Sequence, residues 1–211
     1  MINPNSSARI TDQIRDAVTA SDAAVSVVTS SAGPPAIESD DDVVAAIKPM
    51  IKVAEANPAA AYVVACFSDP GLDELRAATD VPAFGIAESA IHSAMELGDR
   101  IGIISSVAAS LPRHDRYWDK IGVAGRVVAD VPLGLGVLEL DTEEALVAAL
   151  AAGRELVAAG ADVVVLGCTG MTHMESRLGQ ELGIPVIDPC RAAVENARHA
   201  LNAYATEEEP S

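Results

Sequence analysis

Ala161-Asp162-Val163-Val164-Val165-Leu166-Gly167-Cys168-Thr169-Gly170-Met171 is the stretch whose reading decides the fold. It reads as a buried strand that delivers one cysteine, Cys168, onto a small loop with a glycine on either side. About a hundred residues earlier, Ala60 to Gly71 (AAYVVACFSDPG) does nearly the same with Cys66. Each cysteine follows a short β-branched and apolar run, Tyr62-Val63-Val64-Ala65 in one case and Val163-Val164-Val165-Leu166 in the other. Such runs, bounded by turn residues, are the mark of strands covered on both faces.

Working outward, the pairing of the two cysteines belongs to a longer internal repeat. Asn3 falls on Ile104, Val25 on Arg126, Cys66 on Cys168 and Val81-Pro82 on Ile184-Pro185, at an offset of about a hundred residues that drifts by two. Strands are expected at the N-terminus to Asn3, Ala24–Thr29, before Cys66, Val81–Ile86, Arg100–Ser105, Gly125–Ala129, before Cys168 and Ile184–Ile187. Helices fill the intervals, among them one through about Ala20, one opened by Asp40-Asp41-Asp42, an Ala/Leu helix from Thr142 to Ala159 and a last one from Arg191 to about Tyr204. In the second of these, Val43, Val44, Ile47 and Ile51 make the expected apolar side, and Pro49 is expected to kink or divide it. Alternating strands and helices imply parallel βαβ units with right-handed crossovers. The fold class is therefore α/β, with two pseudo-symmetric doubly wound parallel-sheet domains. The first covers residues 1–97, completed by the C-terminal helix 190–206; the second covers 98–189; residues 207–211 form an acidic tail expected to be disordered. By the repeat, about four apolar residues would precede Asn3, yet the chain begins at Met1-Ile2. Either the first strand is short, or the start lies upstream and the pocket edge at Asn3 is poorly ordered.

Composition narrows the function. With 211 residues, half of them hydrophobic, the chain can bury a large core. Aromatic residues make up 3% and the formal net charge is −17, a poor match to nucleic acid or to anionic lipid surfaces. No secretory signal and no apolar run of membrane-spanning length is seen, so a cytoplasmic location is expected. Three cysteines, an odd number, suggest no disulfide framework. The histidines His92, His114, His173 and His199 lack metal-ligand spacing, and the three lysines offer no clear Schiff-base position, so neither a metal nor a cofactor is expected. Neither GxGxxG nor GxxxxGK[ST] occurs. Cys190 has no thiol counterpart in the first half and reads as a small packing residue.

In open α/β sheets ligands bind beyond the carboxyl ends of the strands, and both repeat-related cysteines lie there. If the halves face each other, the two sulfurs approach one site from opposite sides. A thiol can give or take a proton near neutral pH. Two thiols on opposite faces of one carbon suit one reaction above others. One thiolate removes a proton, the other thiol delivers one to the reverse face, and the stereocentre inverts. The carbanion between those steps needs a neighbouring carbonyl and donors, for which the N–H groups of Phe67, Ser68, Thr169 and Gly170 and the hydroxyls of Ser68 and Thr169 are candidates. The bland reading of a buried cysteine at a strand end is an apolar filler; the repeat and the small residues that follow each one weigh against it.

INPNSS at the N-terminus, GPPAIES at Gly33–Ser39, ACFSDPGL at Ala65–Leu72, and LGCTGM with IPVIDP near the end together resemble the hydantoin racemase branch of the aspartate/glutamate racemase superfamily. The resemblance covers almost the whole chain. It implies a cofactor-independent racemase with its site between two α/β domains, Cys66 and Cys168 as the catalytic pair, Asn3 and Pro4 lining the pocket from the first strand, and Phe67, Ser68, Thr169 and Gly170 around the substrate carbonyls. Where glutamate-type members carry Asp-Ser, Asn-Thr and Thr-His, this chain has Asn3-Pro4, Phe67-Ser68 and Thr169-Gly170. That departure favours a neutral ring, a 5-substituted hydantoin or allantoin, over an amino-acid zwitterion. The alternatives are a maleate-type cis-trans isomerase, an aspartate/glutamate-type amino-acid racemase, and, outside enzymes, a two-lobed binding protein for a small metabolite. A small-molecule substrate and a homo-oligomer, paired through the Ala-rich helix from Thr142, are expected.

Overall fold

In the computed structural model, which describes residues 1–19 and 24–207, the β-branched runs form two four-stranded parallel sheets of identical order. The first comprises β1 (Ile2–Asn3), β2 (Val28–Thr29), β3 (Tyr62–Val64) and β4 (Ala83–Gly85), in the order β2-β1-β3-β4. The second comprises β5 (Ile101–Ser105), β6 (Val127–Pro132), β7 (Val163–Leu166) and β8 (Val186–Ile187), in the order β6-β5-β7-β8. Cys66 and Cys168 therefore follow equivalent central strands, β3 and β7. The two-copy doubly wound architecture expected from the repeat is the observed one.

Burial explains why these runs are strands. Val63 and Ala65 face one apolar cluster and Tyr62 and Val64 another. Ile101, Ile103, Val163 and Val165 face the same cluster as Val63, whereas Ile104, Val164 and Leu166 face a third. The layers thus run from one outer core, through the first sheet, to a shared central core, through the second sheet, to the other outer core. Helices α1 (Ala8–Thr19), α4 (Ile86–Leu97) and α8 (Pro189–Glu207) supply the central layer with Ile10, Ile14, Ile86, Ile91 and Ala193. Helix α8 packs on α4, α1, β3 and β4.

Helix α2 (Asp40–Ala56) opens with a capping box: Ser39 Oγ accepts the Asp42 N–H and the Asp42 carboxylate accepts the Ser39 N–H. Its buried stripe is Ala46, Met50 and Ala54, not the Val43/Val44/Ile47/Ile51 side; Val44 is 69% exposed. The close approach of α2 to β1 selects small Ala46 and Ala54 and leaves the bulkier valine outside. Pro49 stands inside the helix and does not divide it. The remaining helices are α3 (Leu72–Ala78), α5 (Leu111–Lys120), α6 (Glu143–Ala158), capped by Thr142, and α7 (Glu175–Leu182).

Other differences from expectation sit at ends. Strand β2 is only Val28–Thr29, because β1, its partner, offers only Ile2 and Asn3 for pairing. Strand β6 runs on to Pro132, which pairs with Ser105 at the sheet edge, where a proline costs no ladder bond. Glu207, expected in the tail, closes α8, while Ala20 and residues 208–211 lie outside the described residues. Among the described residues no helix is long and apolar enough to cross a membrane.

Candidate active site

The chain leaves β3 through Ala65, whose N–H donates to the Ile2 carbonyl at 2.9 Å, and turns at once: the Asp69 N–H returns to the Cys66 carbonyl, also at 2.9 Å. Asp69 takes a positive φ of 43°, unusual for a residue with a side chain but tolerated by aspartate. Its carboxylate accepts the Ala87 and Glu88 N–H groups at 3.0 and 2.9 Å and the Tyr117 hydroxyl at 2.8 Å. The Cys66 loop is thereby pinned to the N-terminus of α4 and to α5 of the other half. Gly85 makes this possible, since a Cβ there would stand 2.1 Å from the Asp69 carboxylate.

Cys168 is delivered by a similar device. Gly167 donates to the Ile104 carbonyl at 2.7 Å, so close that a Cβ on it would meet that oxygen at 2.8 Å. Cys168 then caps a 3-10 segment, Thr169–Met174, with the Met171 N–H returned to its carbonyl at 3.1 Å.

The two loops open onto one cleft, a cavity of about 40 Å³, with Cys66 and Cys168 both in its wall. Phe67, Ser68 and Thr169 line it too, as expected. Asn3, Pro4 and Gly170 do not. The Asn3 side chain is wholly buried and turned toward α1, donating to Asn5 Oδ1, the Ser7 carbonyl and Thr11 Oγ1 at 2.9, 3.1 and 3.0 Å. Asn5, two residues on, reaches the cleft instead. Pro4 packs its carbonyl against Gly33, and Gly170 backs onto Leu140 and Val137.

The rest of the wall comes from Ile37, in the GPPAIES stretch, and from segments that carry no recognisable motif: Ser106, Val107, Ser110, Arg113, His114 and Val137. Arg113 Nε donates to Ser68 Oγ at 2.9 Å, and its Nη1 lies 3.4 Å from Asp40, which Arg116 also holds at 2.7 Å. His114 Nδ1 meets Asp130 at 2.7 Å, and Ser105 Oγ donates to the same carboxylate. Phe67 touches the His114 and Trp118 rings edge-on, with centroids 5.4 and 5.8 Å away. His173 and Cys190 lie outside the cleft wall. One signal for this wall was present in sequence: Arg113 and His114 open a helix at the repeat position that follows a strand end, where ligands gather.

The electrostatics of the sulfurs differ from those expected of an activated thiol. Part of Cys66 still meets solvent, but protein surrounds its sulfur, and burial pushes the thiol up to about 12; the Ser68 N–H and the Arg113 guanidinium pull the other way. Burial likewise pushes Cys168 up to about 11, against the Gly170 N–H and the Thr169 and Ser106 hydroxyls. A charge on Cys168 raises Cys66 further, so ionising one thiol disfavours ionising the other. The N–H groups of Ser68 and Gly170, expected at the substrate carbonyls, point at sulfur and hold thiolate charge instead. Chemically the cleft offers two protonated thiols, one guanidinium, an imidazole–carboxylate pair and several hydroxyls. Asp130 is not itself in the lining, and among the described residues no carboxylate lines the cleft, although the charge of nearby Glu38 raises Cys168.

Comparison with known proteins agrees with this architecture. The profile of the Asp/Glu/Hydantoin racemase family matches residues 1–197. The chain is 37% identical over 207 residues to a hydantoin racemase of Paenarthrobacter aurescens, covering 92% of this chain and 86% of that one. It is 33% identical over 206 residues to a hydantoin racemase of Pseudomonas sp. (strain NS671), covering 93% and 83%. Among solved structures, allantoin racemase from Klebsiella pneumoniae superimposes with a TM-score of 0.87 at 28% identity, over 96% of this chain and 86% of that one. Two sheets of one order, two cysteines at equivalent strand ends and a family match over residues 1–197 lead to one conclusion: this chain belongs to the Asp/Glu/hydantoin racemase family, and its reaction class is racemisation.

Proposed function

We propose that the chain inverts the C–H stereocentre of a small cyclic amide, a 5-substituted hydantoin or allantoin, with Cys66 and Cys168 as the acid/base pair. The observation that carries this reading is the shared cleft, with one thiol contributed by each half of the repeat. A thiolate on one side takes the proton α to the carbonyl, and the thiol opposite returns one to the other face. Both thiols sit above their ordinary pKa and a charge on Cys168 raises Cys66 further, which favours a catalytic form with one thiolate and one thiol, the arrangement that two-sided proton transfer requires. Ser68 and Gly170 N–H groups and the Ser106 and Thr169 hydroxyls hold that charge, while Arg113 and the Ser68 hydroxyl face the substrate's oxygens. Phe67 supplies the apolar wall.

That no carboxylate among the described residues lines the cleft supports a neutral ring over an amino acid, whose ammonium group would need a counter-charge. The same reading divides the chain after residue 97 and counts α8 with the first half, on the strength of its packing against α1, α4, β3 and β4. The expected homo-oligomer is supported by Val147 and Val157, which α6 leaves exposed, and a cytoplasmic setting by three free cysteines.

An enantiopure 5-substituted hydantoin incubated in D2O with the protein should lose optical rotation as deuterium enters C5, whereas glutamate should keep its rotation. Cys66→Ser and Cys168→Ser should each lose about 10^2- to 10^4-fold in rate. Unchanged turnover in both variants would end the two-thiol mechanism.

A further inference from the structure

His114 is a cleft residue whose chemistry the two-thiol reaction leaves unused. It sits on α5, at 3% side-chain exposure, and its Nδ1 is 2.7 Å from Asp130 Oδ2, itself 7% exposed on β6. Ser105 Oγ, at the carboxyl end of β5, donates to Oδ1 of the same carboxylate. With Asp130 and Ser105 arranged so, a neutral imidazole carries its proton on Nδ1 and its lone pair on Nε2. No hydrogen bond among the described residues engages Nε2. Packing alone does not account for the pair. The neighbours of the ring are Phe67 and Trp118, an environment an apolar side chain would fill without the cost of burying an aspartate.

We propose that His114, oriented by Asp130, is a specificity-determining acceptor that takes a hydrogen bond from a ring N–H of the substrate. The assignment rests on the cyclic-amide reading above and narrows it: the substrate class is an amide or ureide ring bearing a free N–H beside the reacting carbon or between its two carbonyls. Arg113 and the Ser68 hydroxyl answer the ring's oxygens, and His114 answers its nitrogen. Asp130 is a positioning residue, since it acts through the imidazole.

Binding of 5,5-dimethylhydantoin, which lacks a C5 hydrogen, tests this apart from the thiol chemistry. By calorimetry the wild-type protein should bind it about 10- to 100-fold more tightly than one of its 1-methyl or 3-methyl derivatives, the loss expected when a buried acceptor is left unpaired. In His114→Ala that preference should collapse. His114→Asn keeps a donor for Asp130 but has no acceptor at the Nε2 position, so it should fold as the wild type and show the same collapse. Asp130→Asn, which offers Nδ1 a donor, should turn Nε2 into an N–H and weaken the unmethylated ligand by at least as much. A methylation penalty that survives in both His114 variants, or no penalty in the wild type, overturns the assignment. Deuterium exchange at C5 of a monosubstituted hydantoin separates the two failures. Exchange with an unaltered methylation penalty sinks His114 alone; neither exchange nor binding in the wild type sinks the cyclic-amide reading first.

Discussion

At the residue scale, the position of each polar atom is set by which neighbour claims it. Burial outweighs the local donors at both sulfurs, so the resting thiols are protonated, and kcat/KM should rise steadily between about pH 7 and 10 where an unperturbed thiol would already be levelling off. A flat profile across that range would contradict the buried-thiol picture. Asp69 behaves in the opposite sense to most carboxylates. Burial raises its pKa to about 6, against its three donors. The folded state therefore holds a proton that the unfolded state has released between about pH 4 and 6, and this group's contribution to stability is largest at low pH and falls as pH rises through 6. Relative to Asp69→Asn, the wild type should lose about 2–3 kcal/mol of unfolding free energy across that window, measurable by urea titration at each pH. The cysteines were legible because they close β-branched runs at matched repeat positions. Asn5 was not, since the choice between it and Asn3 depends on how a loop turns after a two-residue strand.

At the element scale, tight joints rather than helix propensities decide where the site lies. The Cys66 loop stays in place because Gly85 leaves room for the Asp69 carboxylate under the first turn of α4. Gly85→Ala should cost about 1–3 kcal/mol in unfolding free energy, as overpacking does, and should lower kcat by displacing Cys66. Full activity in that variant would show that the joint does not matter to the site. Most strands and helices were readable from periodicity, but the buried side of α2 was not. A count of apolar residues favours valines, whereas a helix lying close to a sheet selects Ala46 and Ala54. The contribution of α5 was also hidden. Its Arg113, Tyr117 and Lys120 reach across to Ser68, Asp69 and Asp73 of the other half, and no local pattern announces a contact so distant in sequence.

At the scale of the whole molecule, two similar sheets share one central core, in which Val63 from the first stands with Val165 from the second and with Trp118 from α5. Halves joined in this way should unfold together. Urea titration followed by tryptophan fluorescence and by far-ultraviolet circular dichroism should give coincident single transitions, and Ile103→Ala, which keeps Trp118 as the fluorophore, should shift both by about 2–5 kcal/mol. Two separated transitions would contradict a common core. The repeat made the two-lobed plan visible in advance; the sharing of the core was not, because an apolar side chain does not declare which neighbour it will meet.

Keeping both sulfurs protonated at rest has a consequence beyond proton transfer. Hydrogen peroxide attacks the thiolate, and the first product is a sulfenic acid. A protein whose working sulfurs hold their protons should therefore survive exposure to peroxide at neutral pH and lose activity quickly only in alkali, a tolerance that aerated storage at two pH values would reveal.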